Sequence, residues 1–230
     1  MSKKNSRRTF IKNTSLGVAF SAVQASFGFN TLQQNNNQIG HGDFRFSLDK
    51  NWGVQNPNLY PVDHCHEMVI DSKNRIILTT TDPKNNILIY DRSGKILDSW
   101  GINYNGAHGL TIFDEGGEEF LFITDPDSHK ICKTTLKGKK ILELSFPKEI
   151  SSYTDSNLFK PTETAVAPNG DIYVADGYGL DYIIQYDYKG NYIRHFGGHG
   201  NGNNKFDCCH GITVDNRDLS NPSLLITSRT

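Results

Sequence analysis

Four copies of one unit, each built of short β-rich runs and spaced 42, 54 and 48 residues apart, predict an all-β chain of β-propeller blades. The first runs start at His66, His108, Thr162 and His210, as HEMVID, HGLTI, TETAV and HGITV. The second runs align as RIILTT, EFLFITD, DIYVAD and SLLITSR. A glycine turn at Gly94, Gly138 and Gly190 then precedes KILDSWG, KKILELS and NYIRHFG. A single blade cannot bury both of its faces, so neighbours stack around a central channel. The competing architecture, a β-sandwich with irregular hairpins, gives no reason for the four-fold alignment.

Residues 160–197 hold the clearest copy. TETAVA alternates, Asn169-Gly170 turns into DIYVAD, a polar corner at 177–181 leads to YIIQYD, and Lys189-Gly190 turns into NYIRHFG. Asn-Gly and Lys-Gly between β-rich runs are hairpin signals.

The amino terminus has a different character. Ser6, Arg7, Arg8, Thr9, Phe10, Ile11 and Lys12 resemble the twin-arginine export motif S-R-R-x-F-L-K, with Ile for Leu. The weakly apolar residues 16–29 are too short and too polar to span a bilayer, so a cleavable signal is expected and no membrane anchor. No clean A-x-A cleavage site stands out, residues 22–26 being a candidate, and residues 30–38 form a Gln/Asn-rich linker. The bland alternative is a basic tail. Residues 1–40 are thus read as signal and linker, and residues 41–230 as the propeller. The expected carrier is the twin-arginine translocase, which exports folded proteins, and the expected location is periplasmic or secreted.

Composition narrows the partners. The 230 residues carry a net charge of −1 and 11% aromatics. Nothing resembles the basic stripe of a nucleic-acid binder, so no nucleic acid is expected. Cys65, Cys132, Cys208 and Cys209 do not form a disulfide framework, and a vicinal bridge would be strained. Cys65 and Cys209 each precede an axial histidine. Successive strand residues point to opposite faces, which predicts that both cysteines pack between blades, the alternative being thiolate ligands. His41, His64, His129, His195 and His199 have no repeat-equivalent partners and are read as loop or surface residues. Residues 197–204 (GGHGNGNN) form a flexible connection, since no helix follows to make a phosphate loop.

The fourth unit stops at Thr230 after its second strand, and residues 44–53 (FRFSLDKNWG) look like a lone last strand. The expectation is therefore the amino-terminal part of a longer, six-bladed propeller, with about four blades present and open edges.

The first strand of each blade lines the axis, so His66, His108, Thr162 and His210 point to one centre. Neutral imidazoles converging on a point suit a divalent metal, with zinc the first expectation. Three independently hydrogen-bonded structural histidines are the alternative.

The motifs quoted above resemble NHL-repeat propellers and, within them, the peptidyl-α-hydroxyglycine α-amidating lyase family. The likeness rests on Ala107-His108-Gly109-Leu110-Thr111, Pro161-Thr162-Glu163-Thr164-Ala165-Val166 and Val174-Ala175-Asp176-Gly177-Tyr178. Cys209-His210-Gly211-Ile212 and Ile226-Thr227-Ser228-Arg229 extend it, over residues 59–230. The resemblance implies a six-bladed NHL propeller with a zinc held by three histidines and a structural calcium. It implies that His108 and His210 are zinc ligands, with a third from a later blade, and that Leu110 offers a backbone carbonyl to calcium. It also implies that Tyr178 is the catalytic base and Arg229 an active-site arginine, acting on a small-molecule or peptide substrate. The implied chemistry is cleavage of a carbinolamide C–N bond. A free phenol titrates near ~10, and a nearby cation lowers that value. Read without the resemblance, Tyr178 is an aromatic packed at a blade corner.

The chain also departs from the family. The family's disulfide positions hold Phe159 or Lys160 and Gly179, and its first-blade arginine has no counterpart near residues 79–82. His66 is an extra axial histidine, either a further candidate ligand or a replacement for the lost polar contact. Two other readings compete: a non-catalytic NHL propeller that binds a protein or glycan, and a lactonase-type propeller hydrolase.

Overall fold

The computed structural model describes residues 38–229, Val54 and Ile102 apart. The export-motif residues and most of the linker lie outside them. The chain divides into two compact units, residues 1–48 and 49–230.

In the first unit, β1 (Gln38–His41) pairs antiparallel with β2 (Phe44–Ser47). This corrects one expectation: the run after Phe44 is not a lone blade strand but half of a two-stranded hairpin. Its partner begins at Gln38, inside the stretch read as linker, and includes His41.

The second unit is a β-propeller assembly of antiparallel sheets. Blade 1 comprises β3 (Met68–Ile70), β4 (Ile76–Thr79), β5 (Ile87–Tyr90) and β6 (Ile96–Trp100). Blade 2 comprises β7 (Leu110–Glu115), β8 (Glu118–Asp125), β9 (Lys130–Thr135) and β10 (Lys140–Leu144). Blade 3 comprises β11 (Glu163–Val166), β12 (Ile172–Ala175), β13 (Tyr182–Tyr186) and β14 (Tyr192–Gly197). Blade 4 is present as the pair β15 (Cys209–Asp215) and β16 (Ser223–Ser228). The described helical content is a single 3-10 turn, Ser156–Leu158, and no described helix is long and apolar enough to cross a membrane.

Each blade is a meander because consecutive strands are joined by short turns. Gly94, Gly138 and Gly190 take φ of +86°, +80° and +87°, a left-handed conformation that costs glycine little. Between blades lie three apolar layers. Ile77, Ile87 and Ile89 of blade 1 meet Leu110, Leu121 and Ile123 of blade 2. Phe122, Ile131 and Leu144 of blade 2 meet Phe159, Ile172, Val174 and Ile184 on the blade 3 side. Ala165, Ala175 and Ile183 of blade 3 meet Cys209 and Ile212 of blade 4. The inner strands β3, β7, β11 and β15 are neighbours in that order, so their equivalent residues face one channel.

The residue before each axial position points toward the preceding blade. Ala107 and Cys209 are fully buried there, and Pro161 is buried too. Cys65 is exposed, contrary to expectation. Among the described residues no blade packs on that face of blade 1. All four cysteines are free thiols. His195 lies in the outer strand β14, half-buried, with its Nδ1 2.6 Å from the Tyr192 hydroxyl.

Phe159 and Gly179, two of the positions compared above with a disulfide of the resembled family, have structural places of their own. The Phe159 ring is fully buried between blades 2 and 3. Opposite, a Cβ on Gly179 would overlap the Asp176 carboxylate and the Leu158 carbonyl.

Candidate functional site

The axial residues stand at the mouth of the channel and not midway down it. His66, His108 and Thr162 come just before their inner strands, while His210 is the second residue of β15. Ladder bonds extend beyond the strand ends: His108 N–H donates to Thr124 O at 2.9 Å and Thr162 N–H to Ala175 O at 2.8 Å.

His108 is the most tightly held of the three histidines. It is buried, and its Nδ1 lies 2.9 Å from the Thr162 carbonyl oxygen. A carbonyl can only accept, so Nδ1 carries the proton and Nε2 keeps its lone pair. That Nε2 faces the Tyr178 hydroxyl at 3.3 Å, and the same hydroxyl is 2.7 Å from His210 Nε2. The His108 and His210 ring centroids are 4.8 Å apart. Two imidazoles therefore converge on one phenol oxygen.

His66 is brought to the same place in a different pose. Its ring stacks on His108, with centroids 4.3 Å apart and planes inclined by 29°. This stacked pose sets His66 apart from the other two, whose Nε2 atoms both meet the Tyr178 hydroxyl. Burial lowers the pKa of all three histidines, that of His108 to about 4, so near neutral pH they present the uncharged imidazoles that metals bind.

Tyr178 reaches this point from a corner with little freedom. Its N–H donates to Lys160 O at 3.2 Å. The preceding Gly177 has no room for a side chain, because a Cβ there would overlap the Cys209 carbonyl of blade 4. Asp176 braces the turn from below, accepting from Tyr153 Oη at 2.6 Å, Lys160 N at 2.6 Å and Leu180 N at 2.7 Å. Burial raises its pKa to about 6. Arg229 is exposed and lies over the Tyr178 ring, 5.7 Å from its centroid. Its N–H donates to Cys208 O at 3.0 Å.

Below the histidines the channel opens into a cavity of about 1090 Å³ lined by Leu110, Thr111, Glu163 and Val214 among others. Leu110, the residue implied for calcium, is buried and donates its N–H to Glu67 Oε2 at 3.0 Å. Glu163 is buried beside Glu67 and accepts from Thr164 N at 2.8 Å and Thr111 Oγ1 at 3.0 Å. Burial, then the hydrogen-bonded Glu67 carboxyl, holds the Glu163 pKa well above the usual carboxylate range. Sequence reading missed this pair. The signal was in the alignment, where a glutamate follows the axial residue in blades 1 and 3.

Outside the mouth, Asp181, His199 and Asp207 gather ligand atoms within 4.8 Å of one another. His199 Nδ1 is already 2.9 Å from Asp181 Oδ2, and Asp181 Oδ1 accepts from Cys209 N at 2.8 Å. These bonds account for the cluster as a clasp between blades 3 and 4.

No family model matches the chain. The protein is 39% identical over 106 residues to a probable peptidyl-alpha-hydroxyglycine alpha-amidating lyase of Caenorhabditis elegans, covering 46% of this chain and 29% of that protein. It is 25% identical over 182 residues to NHL repeat-containing protein 3 of Mus musculus, covering 74% of this chain and 51% of that one. The matches thus span about half or less of these relatives. Among solved structures, virginiamycin B lyase of Staphylococcus aureus superposes with a TM-score of 0.50 at 14% identity, over 84% of this chain and 63% of that one. That likeness is one of fold, the β-propeller. In sequence, the chain is similar to amidating lyases and NHL-repeat proteins.

Proposed function

We propose that this chain carries the metal-binding mouth of an exported, zinc-dependent propeller lyase that cleaves the carbinolamide C–N bond of a peptide ending in α-hydroxyglycine. One observation carries the reading: the Tyr178 hydroxyl lies between His108 Nε2 and His210 Nε2, with Arg229 above its ring. The sequence similarity to amidating lyases supports the substrate class.

The donor set fits zinc. Two uncharged imidazoles present Nε2 atoms toward one point, and His108 is fixed in the matching tautomer. His108 and His210 would hold the ion, which when bound would polarise the substrate hydroxyl oxygen as a Lewis acid. His66 would add a wall to the mouth and not a third ligand. The cavity below is lined by the carboxyl groups of Glu67 and Glu163 and by Leu110, and carboxylate oxygens suit a hard cation such as calcium.

As its phenolate, Tyr178 would take the proton from the carbinol oxygen and then, as the phenol, give it to the departing nitrogen. The C–N bond then breaks as the carbonyl forms, and its electron pair leaves on nitrogen, which gains a proton. The products are a peptide amide and glyoxylate, so atoms and charge balance without an oxidant. Exposed Arg229 offers a cation for the carboxylate of the α-hydroxyglycine. Export through the twin-arginine translocase to the periplasm or beyond rests on residues 6–12 alone. The test is release of glyoxylate from an α-hydroxyglycine peptide, with and without a chelator. Zinc bound without turnover would favour a binding propeller instead.

A further inference from the structure

The row of axial residues at the mouth contains one exception, Thr162. It is fully buried, whereas His66 is exposed and His210 half-buried. Its carbonyl oxygen accepts two bonds, from His108 Nδ1 at 2.9 Å and from Thr124 Oγ1 at 3.0 Å. Thr124 Oγ1 in turn accepts from Gly109 N at 2.7 Å, which leaves its proton for Thr162.

The Thr162 hydroxyl lies 2.8 Å from Cys209 O and 3.1 Å from Ala175 O. It has one proton to give. Ala175 O already accepts the Thr162 N–H, and the shorter contact is to Cys209, so the proton goes there. Cys209 is the residue before His210. A single residue of blade 3 is therefore bonded to His108 in blade 2 and to the backbone that carries His210 in blade 4. Tyr178, from the same blade, lies between the two rings.

We propose that Thr162 is the positioning residue of the site, setting the spacing of His108 and His210 around Tyr178. Its carbonyl selects the Nδ1–H tautomer of His108, and its hydroxyl ties the Cys209–His210 backbone to blade 3. This wiring is absent where the pair is absent. At the position of Thr124 in blade 1, Thr79 has a buried hydroxyl without a hydrogen-bond partner. A histidine at position 162 would forfeit the hydroxyl clamp, which gives the break in the histidine row a chemical reason.

The test uses Thr162→Val and the conservative Thr162→Ser, each in the full chain, with two readouts. The first needs no metal: nuclear Overhauser contacts between the Tyr178 and His210 rings, whose centroids are 5.1 Å apart. Thr162→Val should lose them, and Thr162→Ser should keep them. Unchanged contacts in Thr162→Val overturn the proposal. If the valine variant does not fold, Thr162→Ala asks less of the packing and is judged by the same two outcomes. The second readout is zinc affinity, which rests on the function proposed above. It should fall on the order of tenfold in Thr162→Val, with recovery in Thr162→Ser, the scale of losing an outer contact that orients a ligand. Parent-like affinity in Thr162→Val also overturns the proposal. If the parent binds no zinc, the functional reading falls while the ring contacts still decide the role of Thr162.

Discussion

His66 and His108 hold the same position in successive blades, and their rings stack 4.3 Å apart, yet their surroundings differ. His108 is covered by blade 3, its Nδ1 bound to Thr162 O and its Nε2 aimed at Tyr178. His66 is exposed. The residues before them differ in the same sense, Ala107 fully buried and Cys65 exposed. A repeat gives a side chain its address on the axis. The next blade along supplies the partners that fix its tautomer and direction, and those decide what it can do.

The largest effect that could break this comparison concerns activity. If the mouth works through blades 2 to 4, Tyr178→Phe should cut glyoxylate release by at least about a hundredfold, the usual scale for losing a general base. His66→Ala should stay within a few-fold of the parent. Full turnover by Tyr178→Phe would remove Tyr178 from the chemistry and return it to the role of a corner aromatic.

Metal content comes next. Zinc measured on the purified full-length protein should be lost in the His108→Ala, His210→Ala double variant and retained in His66→Ala. If His66→Ala loses zinc as completely, the stacked pose of His66 is not the working one. The three histidines would then be the equal ligands that their alignment suggests.

That outcome bears on what the sequence could tell. The blades, their turns and the histidine row are legible because a repeat compares a chain with itself, and HGLT against HGIT needs no outside reference. Tyr178 and Arg229 stand out only through resemblance to a family, since neither has an equivalent in the other blades. Thr162 reads as the exception in its row, but its value lies in bonds to carbonyls and imidazoles of two other blades. No pattern along one strand encodes those. Cys65 shows the opposite failure: its strand pattern is right, and none of the described residues covers the face it points to.

The cysteines allow a smaller, purely structural test of the same point. Cys65 and Cys209 are repeat-equivalent, one exposed and the other buried against Ala165, Ala175 and Ile183. Cys209→Ser puts a hydroxyl into that apolar layer and should cost about 1–3 kcal/mol in urea unfolding. Cys65→Ser should change stability by less than about 0.5 kcal/mol, as surface substitutions do. Equal costs would mean that both faces are covered in solution.

The smallest effect is in the acid range, and its size separates the two histidines. Burial lowers the His108 pKa from its usual 6.5 to about 4. The unfolded chain therefore takes up this proton first. The stability tied to neutral His108 is complete above pH 6.5 and is lost as pH falls from 6.5 toward 4. Asp176 works against this trend. Its pKa is raised by burial from 3.8 to about 6, so its contribution grows as pH falls through 6 toward 4. The two windows overlap, and the parent curve alone cannot separate them. Subtraction can: urea midpoints at pH 7 and pH 4.5 should differ less in His108→Asn, whose amide can still donate to Thr162 O, than in the parent. His66→Asn should follow the parent more closely, because exposed His66 resists its proton less. If His108→Asn and the parent lose stability in parallel, blade 3 does not hold His108 neutral, and the contrast between the two histidines is one of position alone.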